Sequence, residues 1–217
     1  MSKANKSNKA IKYRLYPNDE QKVMFAKTFG CCRFVYNQLL ALQKQRYKDG
    51  ESHLSKLKSN EFATRTLKKD YDFLKEIDKF AVSNAVFHLA DAYDRFFKKQ
   101  NHFPKFKSKR KSKKSYTTNF TNNNILIDKN VIKLPKVGMV KAVIHKLPKD
   151  DWKLKSVTVS QDSVGNYFAS VLFEYEQEDI PSVSKSSTNA IGLDYKSDGL
   201  YMDSNGNKAG VHKYYRE

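Results

Sequence analysis

One carboxylate in this 217-residue sequence lies where an active-site residue could lie. Asp194 follows the apolar residues Ile191, Gly192 and Leu193, which predict a short strand. A carboxylate at the end of a strand can present oxygen ligands to Mg²⁺ from a rigid element. The alternative is an Asp that caps a turn. These four residues alone leave both interpretations open.

A second chemical signal is a basic segment flanked by aromatic residues. Residues 95–127 contain ten Lys and Arg and no Asp or Glu, including the run KFKSKRKSKK at 105–114. A solvated, flexible loop would account for the lysines alone. Aromatic rings beside cations, however, suit base stacking combined with phosphate neutralisation. We therefore predict nucleic-acid contacts here by Lys105, Lys107, Lys109, Arg110, Lys111, Lys113, Lys114 and Tyr116.

The whole composition favours a polyanionic partner. Lys and Arg number 41 against 23 Asp and Glu, a net charge of +18. The excess is confined to residues 1–160, at net +22, whereas residues 161–217 carry net −4. An aromatic content of 13% argues against a disordered tail. We expect a folded chain that binds nucleic acid.

The cysteines and the apolar runs exclude other classes. Cys31 and Cys32 are the only cysteines, too few for a disulfide framework or a structural zinc site, and they fit a reducing cytoplasm. No apolar run reaches the length of a membrane span, and the first residues lack the apolar core of a signal peptide. We expect a cytoplasmic protein without a membrane segment.

Periodicity predicts a strand followed by helices in the first half. Residues 11–16 alternate between apolar and mostly basic positions up to Pro17. Residues 18–29 and 34–48 have helical spacing, and we expect Gly30 to separate two helices. A short helix is predicted over residues 60–69, and the clearest helical stripe runs from Val82 to Phe97.

The period changes from 3.6 to 2 after the basic segment, which predicts short strands. They cover residues 125–127, 131–134, 137–144, 156–160 and 167–176.

A further strand, 189–194, and a hairpin strand, 200–203, are predicted beyond a polar stretch. The turn Ser204-Asn205-Gly206 follows them.

Seven sequence blocks in order resemble the TnpB (OrfB) proteins of bacterial insertion sequences. The blocks are LYPNDEQ (15–21), CRFVYNQLLA (32–41), IDKFAVSNAVFHLADAYDRFF (77–97), FPKFKSKR (103–110), SYTTNFTNNNI (115–125), IKLPKVGMVK (132–141) and IGLDYKSDGLYMDSNG (191–206). Members of that family are RNA-guided DNA endonucleases, formerly classed as transposases and related to type V CRISPR effectors. The resemblance covers nearly the whole chain and implies the N-terminal part of such a nuclease.

The resemblance implies an α+β fold with a fixed domain order. Residues 1–17 would give the first strand of an oligonucleotide-binding-like wedge β-barrel, and residues 103–176 the rest of it. Residues 18–102 would form an inserted helical recognition lobe, similar to a helix-turn-helix. A linker over 177–188 would lead to residues 189–217, the first strands of a RuvC nuclease domain of RNase H-like fold.

The same resemblance implies partners and further site residues. Guide RNA and double-stranded target DNA would be the partners of a protein associated with the bacterial nucleoid. Readers of a short DNA motif beside the target would be Lys79, Ser83 and Thr121, with Asn60 as a looser match. Ser83 and Thr121 have an alternative, hydrogen bonding to their own turns. The other expected contacts are Lys12, Arg14, Arg33 and Asn37.

Asp194 matches the first Mg²⁺ ligand of the RuvC site. Two Mg²⁺ ions in such sites stabilise the attacking and leaving oxygens of phosphodiester hydrolysis, which takes several carboxylates. This sequence departs from the family pattern at Lys196, where Gly is usual. The family's later carboxylates and its zinc module, where zinc would bind, lie beyond position 217.

Two functional classes therefore stay open. In the first, the chain is a piece of an RNA-guided nuclease that cleaves only with the rest of the nuclease domain. In the second, it is a binding module that holds RNA or DNA without cutting. A ribosome-associated RNA-binding protein is a remoter third class, because it would not need the block at 191–206.

Overall fold

Helices and a large antiparallel sheet together form the mixed α/β fold of this protein. The structure is a computed structural model and describes residues 6–176, 191–195 and 199–210. The chain divides into a large unit, residues 1–177, and a small unit, residues 178–217. The predicted linker over 177–188, Lys196 and the last seven residues lie outside the described ranges.

Seven strands form the sheet of the large unit. Their order is β2-β6-β7-β1-β5-β4-β3, and all paired neighbours are antiparallel. The strands are β1 (Lys6–Tyr16), β2 (Lys114–Asn119), β3 (Leu126–Asp128), β4 (Val131–Leu134), β5 (Gly138–Val143), β6 (Lys153–Gln161) and β7 (Tyr167–Glu176).

Strand β1 occupies the middle of the sheet, between β7 and β5. It begins at Lys6, five residues before the predicted start, because β7 pairs with it from Lys6 opposite Glu176 to Leu15 opposite Tyr167. The polar residues that open β1 carry no apolar alternation, so their extended conformation depends on this distant partner.

Every helix among the described residues lies between β1 and β2 in the chain. Each of the two long helices begins with a side-chain cap, Asn18 for α1 and Asp78 for α4. The helical elements are α1 (Asp19–Lys48), α2 (Lys56–Glu61), a π-helical stretch (Phe62–Leu67), α3 (Lys68–Asp70), a 3₁₀ turn (Asp72–Lys75) and α4 (Lys79–Phe97).

The prediction of two helices separated at Gly30 is wrong, because α1 is continuous over 30 residues. A glycine inside a helix costs only about 1 kcal/mol relative to alanine. The buried stripe passes through this point without a change of phase, from Phe25 and Phe29 to Val35 and Leu39. Packing along that stripe outweighs the local preference of glycine.

A buried carboxylate fixes the start of α4 against β2. Asp78 accepts a hydrogen bond from the Ala81 backbone N–H at 3.2 Å and one from the Thr118 hydroxyl at 2.6 Å. Asp78 and Thr118 are both buried. This contact fixes the start of α4 against β2, the two elements that precede and follow residues 98–113 in the chain.

Aromatic rings form the contact between α1 and the sheet. Phe25 packs on Tyr116 of β2 at 6.3 Å and on Tyr167 of β7 at 5.4 Å between ring centroids. Phe29 lies 5.9 Å from Tyr116. A Phe25→Ala change would remove the centre of this cluster, at a cost of about 3–5 kcal/mol.

The described part of the small unit forms three short strands in the order β10-β9-β8. They are β8 (Leu193–Asp194), β9 (Tyr201–Asp203) and β10 (Lys208–Ala209). The predicted turn is confirmed, since Gly206 donates its backbone N–H to the Asp203 carbonyl at 3.0 Å and has a φ of 85°.

Within the described residues, no helix is both long enough and apolar enough to cross a membrane.

Because the thiols of Cys31 and Cys32 are buried, we predict that the protein loses stability at alkaline pH. Burial raises the pKa of Cys31 to about 11 and of Cys32 to about 12, whereas a free thiol titrates near about 8.5. The folded state therefore favours the neutral thiols, and their contribution to stability is lost as the pH rises above about 8.5. We expect the unfolding free energy, measured in urea, to fall between about pH 8.5 and 10 by up to about 1.4 kcal/mol per pH unit and thiol. A Cys31→Ala/Cys32→Ala protein should show a shallower fall, and equal slopes would contradict the assignment.

Candidate nucleic-acid interface

Side chains of α1 hold the basic segment where it passes between α4 and β2. Asn37 donates its Nδ2 to the Lys107 carbonyl at 2.9 Å and accepts the Lys107 backbone N–H on Oδ1 at 2.8 Å. The Lys107 Nζ lies 4.0 Å from the centroid of the Tyr36 ring. Burial lowers the pKa of Lys107. The segment is thus held to the helix at its middle.

Beyond Lys107 the chain forms a turn that exposes its cations. The Ser108 hydroxyl accepts the Lys111 backbone N–H at 3.0 Å, and the Ser112 hydroxyl accepts the Ser108 backbone N–H at 2.9 Å. The serine hydroxyls accept hydrogen bonds from backbone N–H groups of the turn itself. The Lys and Arg side chains of the turn remain in solvent. The exposed cations are Lys105, Lys109, Arg110, Lys111, Lys113 and Lys114.

A shallow groove, which we call the basic groove, collects cations from helix and segment. It is bordered by Arg33 of α1, His88 of α4, and Lys107, Lys113 and Lys114. No ion pair of these lysines or Arg33 occurs within the described ranges. The groove therefore presents unneutralised positive charge, as phosphate binding requires.

Loss of the Asn37 attachment should loosen the basic segment. Asn37→Ala removes both hydrogen bonds to Lys107, and we expect a stability loss of about 1–3 kcal/mol. Limited trypsin digestion should cut first within residues 105–114 in the native chain and several-fold faster in this variant, because exposed, loosely held backbone is cut preferentially. Gln38→Ala, one position along α1, is the matched control. An Asn37→Ala chain cut at the native rate would show that this attachment does not restrain the segment.

Tyr116 lies in the core instead of at the surface. Only 3% of it is exposed, and its ring packs against Phe25 and Phe29. The strand register explains its position, since Tyr116 lies opposite the buried Val159 and so faces the helices. It leaves no open ring face for a base, although it does border the basic groove.

Lys12 and Arg14 lie on the face of the sheet opposite the helices. The ring of Phe168 lies between them, 4.2 Å from the Lys12 Nζ and 5.0 Å from the Arg14 Cζ. Arg14 also donates a hydrogen bond from Nη2 to the Asn166 Oδ1. An aromatic ring held by two cations on an open strand face suits stacking of a base beside its phosphate.

One register row connects this face to the end of the basic segment. Arg14 lies opposite Phe168, Phe168 opposite Ser160, and Ser160 opposite Ser115 of β2. Residues paired in this way share one face of a sheet. Ser115 also borders the basic groove, so the sheet face and the groove meet at β2.

Lys79 and Thr121 come together in a separate cleft. The cleft is also lined by Lys68, Lys75 and Lys136, and we call it the lysine cleft. Burial lowers the pKa of Lys68; the charge of Asp78, which also lines the cleft, acts against this, and the charges of Lys79 and Lys136 add to it. Closely spaced lysines of this kind favour an anion.

The loop at Thr121 supplies polar groups to the lysine cleft. Asn124 accepts the Thr121 backbone N–H on Oδ1 at 2.8 Å, while Asn122 and Asn123 have left-handed φ values of 47° and 55°. Asn122 and Asn124 both line the cleft. Amide and hydroxyl groups beside lysines are the donors and acceptors that nucleic-acid readers use.

Asn60 and Ser83 do not line either site. Asn60 lies in the last turn of α2, before the π-helical stretch, and its buried Oδ1 has no hydrogen-bond partner among the described residues. Ser83 is half-buried on α4, one turn after Lys79. Asn37 borders neither site, and its amide is used by Lys107.

In the small unit, Asp194 is exposed at the end of β8, opposite Met202 of β9. Asp203 accepts hydrogen bonds from the backbone N–H groups of Asn205 and Asn207 and from the Asn207 Nδ2, which lower its pKa. Its carboxylate therefore serves the turn. Asp198 and Glu217 lie outside the described residues.

The described residues do not fit a two-metal site. They contain no group of three or more His, Cys, Asp or Glu side chains arranged to hold a metal ion. Asp194 supplies a single free carboxylate, and Mg²⁺ is held through carboxylates and substrate phosphates in octahedral geometry.

Sequence reasoning missed the partners that only the fold brings together. Lys68, Lys75 and Lys136 join Lys79 from distant parts of the chain, and Phe168 joins Lys12 and Arg14 from β7. Phe168 carries one detectable signal: it occupies an outward position of a strand whose inward positions are apolar.

Comparisons with known proteins give one matching domain model and several relatives. The helix-turn-helix domain model HTH_OrfB_IS605 matches residues 7–52, which here form β1 and the single helix α1. A Streptomyces pristinaespiralis protein named "Putative RNA-guided DNA endonuclease" is 30% identical over 96% of this chain and 51% of its own length. The Escherichia coli K12 protein "Putative RNA-guided DNA endonuclease InsQ" is 29% identical over 85% of this chain and 44% of its own length.

A third relative is shorter. "Virulence protein VsdF" of Salmonella dublin is 32% identical over 46% of this chain and 93% of its own length. The chain spans about half the length of the two endonuclease relatives. With the domain match at residues 7–52 and relatives that align along nearly its whole length, the chain belongs to the TnpB (OrfB) family of insertion-sequence proteins.

Proposed function

We propose that this chain is the nucleic-acid-binding part of a TnpB-like RNA-guided DNA endonuclease. The observation that carries the proposal is the basic groove, where Arg33, Lys107, Lys113 and Lys114 gather without acidic partners among the described residues. The names of the two long relatives support an RNA and a DNA partner.

In this proposal the two positively charged surfaces bind different nucleic acids, one the guide RNA and the other the target DNA. The outer sheet face and the basic groove, joined at β2, bind guide RNA through phosphates and stacked bases. The lysine cleft, with Lys79 and Thr121, reads the short DNA motif beside the target. Its hydroxyl and amide groups supply the hydrogen bonds to base edges, and its lysines supply the phosphate contacts.

The architectural assignment follows the same division. The seven-stranded sheet acts as the wedge barrel, and the helices between β1 and β2 act as the recognition lobe. Strands β8 and β9 begin the RuvC domain, in which Asp194 provides one of several metal-binding carboxylates. Sequence choice then depends mainly on base pairing with the guide.

The position of Asp194 favours a second candidate, a binding module without cleavage. Asp203, the other described carboxylate on these strands, is held by Asn205 and Asn207. Asp194 alone would bind Mg²⁺ weakly. In this second candidate function, the chain binds RNA or DNA without cutting it. Its effect would be to block access to the bound nucleic acid or to recruit another molecule to it.

A salt titration tests nucleic-acid binding itself. Fluorescence anisotropy of the purified chain with labelled RNA, single-stranded DNA and duplex DNA should show log K falling linearly with log[salt], with a slope steeper than about −4. A matched methylphosphonate strand, which has bases but lacks phosphate charge, is the control and should bind far more weakly. Equal binding of both strands, or a slope near zero, would reject the proposal.

A further inference from the structure

An open groove of about 660 Å³ lies where the C-terminal ends of α1 and α4 meet. Its lining is mainly aromatic and includes Tyr47, His53, Tyr93, Phe96, Phe97 and Phe103. Tyr47 is 85% exposed and Phe97 is 64% exposed, which is unusual for two large rings on the same surface. We call this site the aromatic groove.

The rings of this groove hold one another in fixed positions. Phe103 meets Tyr93 and Phe96 edge-on, with centroids at 5.6 Å and 5.2 Å, and His53 meets Tyr93 edge-on at 4.5 Å. Tyr93 is buried beneath them. The exposed rings of Tyr47 and Phe97 thus border a preformed aromatic floor.

The turn after α4 returns the chain to this floor. Lys99 adopts a left-handed φ of 57°, and Gln100 donates its backbone N–H to the Arg95 carbonyl at 2.8 Å. The reversal places Phe103 on α4. Lys98, Lys99 and Phe103 all belong to the basic segment, so part of the groove lining and the exposed cations at 105–114 lie on one continuous stretch of chain.

Positive charge borders the groove. The Lys44 Nζ lies 4.7 Å from the centroid of the Phe106 ring and 5.5 Å from that of Phe103, and Lys48 lies on the border. Neither lysine forms an ion pair with a described residue, whereas the one acid of the lining, Glu51, is paired with Arg46. A second copy of this chain, with net charge +18, would be repelled here, while a polyanion would be attracted.

We propose that the aromatic groove stacks unpaired bases of a single-stranded nucleic acid whose phosphates lie against Lys44 and Lys48. The proposal rests on the proposed nucleic-acid-binding function and deepens it by assigning a place for bases that are not paired. Every base has a π-face, so the site would be tolerant of sequence.

The test separates bases from phosphates. Affinity is measured for a single-stranded DNA and for a strand of the same length made of abasic residues, which keeps every phosphate. The native chain should bind the ordinary strand about tenfold more tightly than the abasic strand. A Tyr47→Ala/Phe97→Ala protein should lose most of that difference and keep the native affinity for the abasic strand. Both rings are largely exposed, so the fold should tolerate the change.

A control variant removes exposed apolar side chains elsewhere. Val23→Ala/Tyr195→Ala changes one exposed aliphatic and one exposed aromatic side chain outside the groove and should behave as the native chain. An unchanged preference for the ordinary strand in Tyr47→Ala/Phe97→Ala would overturn the groove assignment while nucleic-acid binding stands. If Tyr47→Ala/Phe97→Ala changed the sedimentation coefficient of the chain but not its affinity for either strand, the groove would be a protein–protein contact. That result would also overturn the groove assignment. Failure of the native chain to bind either strand would reject the proposed function together with this inference.

Discussion

Replacement of Lys109, Arg110, Lys111, Lys113 and Lys114 by Ala should weaken RNA binding about 100-fold at about 0.1 M salt and reduce the salt slope by about 3. The reason is that these exposed side chains, in the turn fixed by Ser108 and Ser112 or directly after it, form no ion pair with a described residue and can neutralise phosphates. Each phosphate contact releases about one counterion on binding, so lost contacts reduce the slope as well as the affinity. Anisotropy titrations at several salt concentrations measure both.

A charge-matched variant separates this surface from the general charge of the chain. Ala at Lys129, Lys146, Lys149, Lys153 and Lys155 lowers the net charge equally but alters exposed lysines outside the basic groove. It should reduce the affinity only a few-fold, through the weakened long-range field. Equal losses in the two variants would mean that net charge, and not the basic segment, determines binding.

Substitution of Asp194 should separate binding from cleavage. In a complete family nuclease that contains this segment, Asp194→Ala is expected to reduce cleavage of guide-matched DNA by at least about 10³-fold, because a metal-dependent site loses one of its carboxylates. In the 217-residue chain the same change should leave binding within about twofold, since Asp194 belongs to the small unit, whereas the basic groove is built from residues of the large unit.

The 217-residue chain itself should not cleave DNA. Asp203→Asn is the matched control, because that carboxylate is held in its turn by Asn205 and Asn207. This variant should change the stability of the small unit more than it changes the binding of any metal ion. Mg²⁺-dependent cleavage by the purified 217-residue chain that disappears in Asp194→Ala would contradict the expectation.

Strands with strong alternation were predictable to the residue. The bounds of β4 (Val131–Leu134) and β7 (Tyr167–Glu176) match their predictions because one face of each is apolar and turn residues flank both. The stripe of α4 was also predictable, although Phe97 at its end is exposed and does not complete the buried face. The local sequence pattern is sufficient to predict an element that packs against the core with a single apolar face.

Long-range packing accounts for what the sequence did not reveal. Gly30 is a helix breaker by local preference, yet the packed stripe of α1 extends through it. Tyr116 resembles a stacking ring beside lysines, but the register of β2 points it into the core. The lysine cleft joins Lys68 to Lys136 across about 70 positions of sequence, a proximity that no local pattern encodes.

Photocrosslinking of 4-thiouridine RNA to the intact chain, followed by peptide mapping, tests most directly whether the basic groove and the outer sheet face together form the nucleic-acid interface. The expected crosslinked peptides contain residues 103–117 and the outward side chains of β1 near Lys12 and Arg14. The stretch from Lys146 to Lys155 provides the internal comparison, because its four lysines are all exposed but belong to another segment of the large unit. Crosslinks concentrated at residues 103–117 and at β1 would agree with the assigned interface. Crosslinks confined to residues 145–155, or spread evenly over all exposed lysines, would contradict it.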